Sequence, residues 1–185
     1  MDRPTRDEAG DQAMIEAFLS ATPWAVPATL VSAIVLVPLV RRSLLAYLFW
    51  VATAGFLAVT VTPNPGGASG RTLSLTPDVP DLHQLLSASD QTGLNAVIAV
   101  PMGLLGALWA RRLHRWFPLL VAVVVPPLAE GVQWLVPPLG RVSFFLADVT
   151  ANWTGVLLGV VGAILVGAAT LWAGRLSRSC RRRGA

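Results

Sequence analysis

The sequence predicts an all-α fold: a polytopic membrane protein, a bundle of about five transmembrane helices with its N-terminus outside and its C-terminus inside. Three observations predict it. Of the 185 residues, 54% are hydrophobic and only 13% are charged, whereas a soluble domain averages roughly 25% charged residues. The apolar residues fall in continuous runs, each near the ~20 residues needed to cross ~30 Å of hydrocarbon. All 14 basic residues are arginine, and most of them flank those runs.

The elements follow in order. Residues 1–22 form a polar leader, and its first 16 positions carry five acids against Arg3 and Arg6. Five apolar runs come next, at Pro23–Val40, Leu44–Thr62, Gln91–Ala110, Trp116–Val136 and Asp148–Ala173. They define a transmembrane domain over 23–173, followed by a basic tail over 174–185. Helices are the expected spans, since inside lipid every backbone polar group must be paired within the segment. A β-barrel would instead show short alternating segments. The one long connection, 63–90, opens on turn and linker chemistry (Pro63-Asn64-Pro65-Gly66-Gly67). Its second half, Asp81 to Leu86, has the composition of one or two helical turns lying on the membrane surface.

Arginine placement sets the orientation. With the spans alternating in direction, ten arginines fall on one side (Arg41, Arg42, Arg111, Arg112, Arg115 and the five of the tail). Four fall on the other: Arg3, Arg6, Arg71 and Arg141. The ten-arginine side is the cytoplasmic one by the positive-inside rule. No positively charged segment precedes the first run, so that run reads as an uncleaved anchor. The high pI does not signal nucleic acid, because the arginines mark membrane boundaries. Cys180 stands alone in the tail and makes no disulfide framework. His83 and His114 read as surface or interfacial residues.

Ionised groups at membrane depth cost roughly 2.5–3.5 kcal/mol, so the polar residues within the spans carry the information. They are Asn95, Glu130, Gln133, Asp148 and Asn152, with Arg141 between the last two spans. At ~1.5 Å per residue, Asn95 lies about 7 Å below the start of its run, Glu130 about 10 Å below Pro137, and Asn152 about 6 Å below Asp148. All belong to the outer leaflet, which suggests one polar pocket open to the outside. On the last run, Asp148, Asn152, Gly155, Gly159 and Ala163 share a helical face. Gly155 and Gly159 form a small-residue seam for helix packing. Pro126-Pro127 remove two backbone donors and leave carbonyls near Ala122 and Val123 without their helical partners. The plain alternative stays open: the asparagines and Gln133 act as interhelical hydrogen-bond glue, and Glu130 pairs with Arg141 for structure alone.

These residues also carry a resemblance. Asn95-x5-Pro101-Met102-Gly103, then Glu130-x2-Gln133, then Gly140-Arg141, then Asp148-x3-Asn152-x2-Gly155-x3-Gly159 resembles the VanZ-like family of bacterial membrane proteins over about residues 90–166. The order, spacing and transmembrane frame agree with that family's pattern. One departure is plain: the family carries an acidic residue about three after its arginine, and Val142-Ser143-Phe144-Phe145 has none. The gap from Arg141 to Asp148 is also one residue longer. The resemblance implies a multi-pass protein of the bacterial plasma membrane associated with resistance to teicoplanin, a lipoglycopeptide.

Three functions are open at this point. One is an outward pocket that recognises an envelope lipid or lipoglycopeptide, with Arg141 meeting its anionic group and Asn95, Gln133 and Asn152 its polar groups. Another is a membrane-embedded hydrolase or transferase using Glu130 and Asp148 as acid and base. The third is a structural or partner subunit without catalysis. No cofactor or metal site is expected, no nucleic acid is expected, and a homo-oligomer is open. The lipid bilayer is the expected surrounding in every case.

Overall fold

The computed structural model describes residues 20, 22–63, 72–81, 84, 91–136, 139 and 143–183. Five helices make up the described chain: α1 Ala25–Val35, α2 Leu44–Val61, α3 Gln91–Leu113, α4 Phe117–Leu135 and α5 Leu146–Arg183. The last four are long and apolar enough to cross a membrane. A bilayer is therefore the fitting solvent, and the chain has the build of a multi-pass membrane protein.

The first apolar run differs from the expectation of a full-length span. It forms an 11-residue helix that passes into a 3-10 turn at Val37–Leu39. Pro38 is the physical reason, because proline has no N–H to continue the α-helical ladder. The other run boundaries lie within a few residues of those expected. The last helix continues unbroken to Arg183, so much of the basic tail is helical backbone. The leader lies almost entirely outside the described residues, as does most of the surface turn expected after Asp81.

Local chemistry explains where the helices start and stop. Ser43, in extended backbone, caps α2 by accepting from the Ala46 N–H at 3.3 Å. His114 closes α3 with φ 53°, the left-handed geometry of a helix C-terminus, and the Arg115 N–H returns to the Ala110 carbonyl at 3.1 Å. This tight corner turns the chain straight into α4. Hydroxyls within the helices are satisfied locally: Thr53 donates to the Phe49 carbonyl and Thr60 to that of Phe56, each at 2.9 Å.

Packing is inverted relative to a water-soluble protein. Large aliphatics such as Leu157, Ile164, Leu165 and Leu171 are exposed, and many of the buried apolar positions are alanines: Ala96, Ala99, Ala122, Ala151 and Ala163. The α3–α5 interface is the largest in the bundle. A Cβ added to Gly103, Gly155 or Gly159 would fall within 3.0 Å of backbone atoms of the facing helix. Small residues let the two backbones approach until main chain touches main chain, the usual basis of helix association in lipid. The larger core side chains, Phe49, Phe56, Met102 and Val156, fill the remaining space. Phe49, Trp50 and Trp109 pack in edge-to-face and tilted pairs with centroids 5.3–6.5 Å apart.

The prolines of α4 have a specific compensation. Pro127 cannot donate to the Val123 carbonyl four residues earlier. The indole Nε1 of Trp153, on α5, donates to that carbonyl at 2.8 Å. An orphaned acceptor at membrane depth thus becomes an interhelical bond. Trp153→Phe is expected to lower stability by about 1 kcal/mol, the usual size of an interhelical hydrogen bond. Unfolding of the purified protein in mixed micelles measures this, and an unchanged midpoint would mean the carbonyl has another donor.

Two short extended segments, β1 Thr72–Ser74 and β2 Ser143–Phe145, pair in parallel with Thr72 opposite Ser143 and Ser74 opposite Phe145. They fasten the long connection to the chain just before α5.

Candidate functional site

The start of α3, the end of α2 and the start of α5 meet at one end of the bundle, and the polar side chains gather there. Asn95 and Asp148 are joined directly: Asn95 Nδ2 donates to Asp148 Oδ1 at 2.9 Å. Both are half-buried. Asp148 also sits in the first turn of α5, where the helix dipole favours a carboxylate. An interhelical hydrogen bond in a membrane contributes roughly 1 kcal/mol, so this pair helps to hold α3 and α5 in register.

Gln133 is buried and donates through Nε2 to the backbone carbonyl of Thr60 near the end of α2. Glu130, three residues earlier on α4, is 4% exposed. Asn152 is 1% exposed, one turn into α5 from Asp148, and its Oδ1 has no hydrogen-bond donor among the described residues. A buried amide oxygen without a donor costs about 1–3 kcal/mol. Gly155, one turn further on, is pressed against Ala96. Asn152 therefore lies just above the seam, where the helices come closest.

The long connection passes over the same end. Thr150 Oγ1 donates to the carbonyl of Asp78, and Pro80 is buried. Asp81 and Gln84 exchange reciprocal bonds, Gln84 N–H to Asp81 Oδ1 at 2.8 Å and Asp81 N–H to Gln84 Oε1 at 2.9 Å. This is the capping-box arrangement; the turn expected from Asp81 to Leu86, with His83, otherwise lies outside the described residues. Segment 72–81 is thus held at both ends, by β2 and by Thr150, beside the first turns of α5.

The structure brings Asn95 and Asp148 together. It sends Gln133 to main chain rather than to another polar side chain, and it buries Glu130 and Asn152. Arg141 lies outside the described residues, so its expected meeting with Glu130 lies there too. Thr60, Asp78, Thr150 and Trp153 join the network although none stood out in the sequence. Only the threonines left a trace: a hydroxyl among apolar residues that can bond back to its own helix. Among the described residues, no group of three or more His, Cys, Asp or Glu side chains could hold a metal ion.

Comparisons of the chain with protein-family models, with curated proteins and with solved structures give no match. The functional reading therefore rests on the residues themselves.

Proposed function

We propose that this chain is a VanZ-like protein of the bacterial plasma membrane whose outer-leaflet polar end binds the polar part of an envelope amphiphile. The ligand class is a lipid-linked envelope precursor or a lipoglycopeptide, and the outcome is teicoplanin-type resistance or envelope maintenance. The observation that carries the reading is Asn152: a side chain 1% exposed whose Oδ1 lacks a donor among the described residues, one turn from the Asn95–Asp148 pair. Such an oxygen suits a hydroxyl or amide N–H supplied by a ligand. The orientation is basic end inside, by the positive-inside rule. That assignment does not depend on the short α1, because α2, α3 and α5 each have arginines at the same end. The amphiphile would enter from the lipid with its polar group at headgroup depth, beneath segment 72–81.

The test is a susceptibility measurement in a bacterium expressing the chain. Wild type is expected to raise the inhibitory concentration of teicoplanin, and Asp148→Asn is expected to remove the protection at equal membrane abundance. Undiminished protection by Asp148→Asn would sink the proposal. So would a wild type that neither protects nor binds teicoplanin or envelope lipid in nanodiscs.

A further inference from the structure

The opposite end of the bundle carries a groove that the outer polar cluster does not explain. It has a volume of about 350 Å³ and opens between the start of α2, the end of α3 and the lower part of α5. Arg111 and Arg112 form one wall, Leu108 and Val166 supply apolar surface, and Thr170 lies at the edge. Its chemistry is therefore divided, with two cations beside an aliphatic slot.

Three features make this more than a pair of boundary arginines. The first is position. Arg111 lies close against Gly167, where an added Cβ would overlap Nη1. The glycine leaves room for this guanidinium against α5, at the wall of the groove. The second is charge balance. The sequence has no acid between Asp90 and Glu130 and none after Asp148. The described acids, Asp78, Asp81, Glu130 and Asp148, belong to the outer loop and the outer halves of α4 and α5. The third is hydrogen-bond polarity. Thr170 Oγ1 donates to the Gly167 carbonyl at 2.8 Å. Its proton is committed, and its lone pairs are left to accept from a ligand hydroxyl.

We infer that this groove is a binding site for one anionic phospholipid. Arg111 and Arg112 take the phosphodiester, Thr170 accepts from a hydroxyl of a glycerol-type headgroup, and an acyl chain runs along Leu108 and Val166. Guanidinium groups suit phosphate because their planar donors can meet two of its oxygens at once. Basic pockets between transmembrane helices at the membrane surface are a recurring form of lipid recognition. The site stands apart from the outer polar end, and neither reading depends on the other.

The experiment uses full-length protein in detergent, titrated with phosphatidylglycerol or phosphatidylcholine and followed by native mass spectrometry and thermal unfolding. Wild type is expected to retain one phosphatidylglycerol and to be stabilised by it over phosphatidylcholine. Arg111→Gln/Arg112→Gln is expected to weaken retention by about 30-fold, from roughly 1 kcal/mol per arginine near the surface. Both side chains are exposed, so the fold should survive the change. Gly167→Leu keeps every charge but displaces Arg111, and it is expected to weaken retention as well. Replacing Arg181, Arg182 and Arg183 with glutamine should leave the single tightly held lipid in place. Equal retention of phosphatidylcholine, undiminished binding by the double variant, or loss on changing the tail alone would overturn the inference. Full displacement by inorganic phosphate would overturn it too, since the aliphatic slot would then contribute nothing.

Discussion

Gly155→Leu should abolish the folded bundle, at a cost above about 4 kcal/mol. A Cβ at position 155 would fall within 3.0 Å of the Ala96 carbonyl carbon and oxygen. Those atoms are main chain within a helix and cannot swing aside. The helices would have to separate along the largest interface in the molecule, and Gly103 and Gly159 would lose their close contacts with them. In lipid this loss is not softened by a hydrophobic effect between helices, because acyl chains are as apolar as the side chains they would replace. Gly131 is the control. It lies within α4, and an added Cβ there would meet nothing within 4 Å. Gly131→Ala should therefore be neutral or stabilising by up to about 1 kcal/mol, the gain in helix propensity. The yield of folded protein and the unfolding midpoint in mixed micelles distinguish the two substitutions. Similar behaviour would show that glycine is needed for something other than backbone approach.

The contrast between these glycines shows what the sequence made legible. The periodic set Gly155, Gly159, Ala163 marks a seam because small residues at helical spacing have one strong physical use in a membrane. Gly131 belongs to no such set, and the structure leaves it in open space. The four long helices were legible for a similar reason: lipid tolerates neither charges nor unpaired backbone, so an apolar run with arginines at its end has few other readings. The first run failed that reading because Pro38 breaks the ladder, an effect that counting apolar residues does not register. The candidate site was legible as depth but not as pairing. Counting residues along each span placed Asn95 and Asp148 near one level, and the structure joins them. It could not find that Gln133 would reach the Thr60 carbonyl, since every backbone offers a carbonyl at each residue. The β1–β2 pairing and the Trp153–Val123 bond were hidden for related reasons. Three-residue strands carry no measurable periodicity, and a proline shows which carbonyl loses its donor without showing which distant side chain replaces it.

Asn152→Leu should separate stability from function. Leucine shares asparagine's branched outline, is somewhat bulkier, and has no polar atoms. At a position 1% exposed whose Oδ1 has no donor among the described residues, it relieves the cost of a buried, unmet acceptor. That relief amounts to about 1–3 kcal/mol, less the cost of the extra bulk, so the unfolding midpoint should stay the same or rise. If Asn152 serves only as interhelical glue, the opposite follows: its loss should destabilise the bundle as Trp153→Phe does. On the proposed function, protection against teicoplanin should nevertheless fall to the level of cells without the protein, because the acceptor proposed for the ligand would be gone. A gain in stability with a loss of activity is the pattern expected where a protein holds an unfavourable polar group for use. The pair of measurements admits few confusions. A variant that is less stable and inactive would return Asn152 to a structural role, and one that is stable and fully active would move the site away from α5. Only the stable, inactive variant supports an amide oxygen held ready at the outer end of the Gly155 seam.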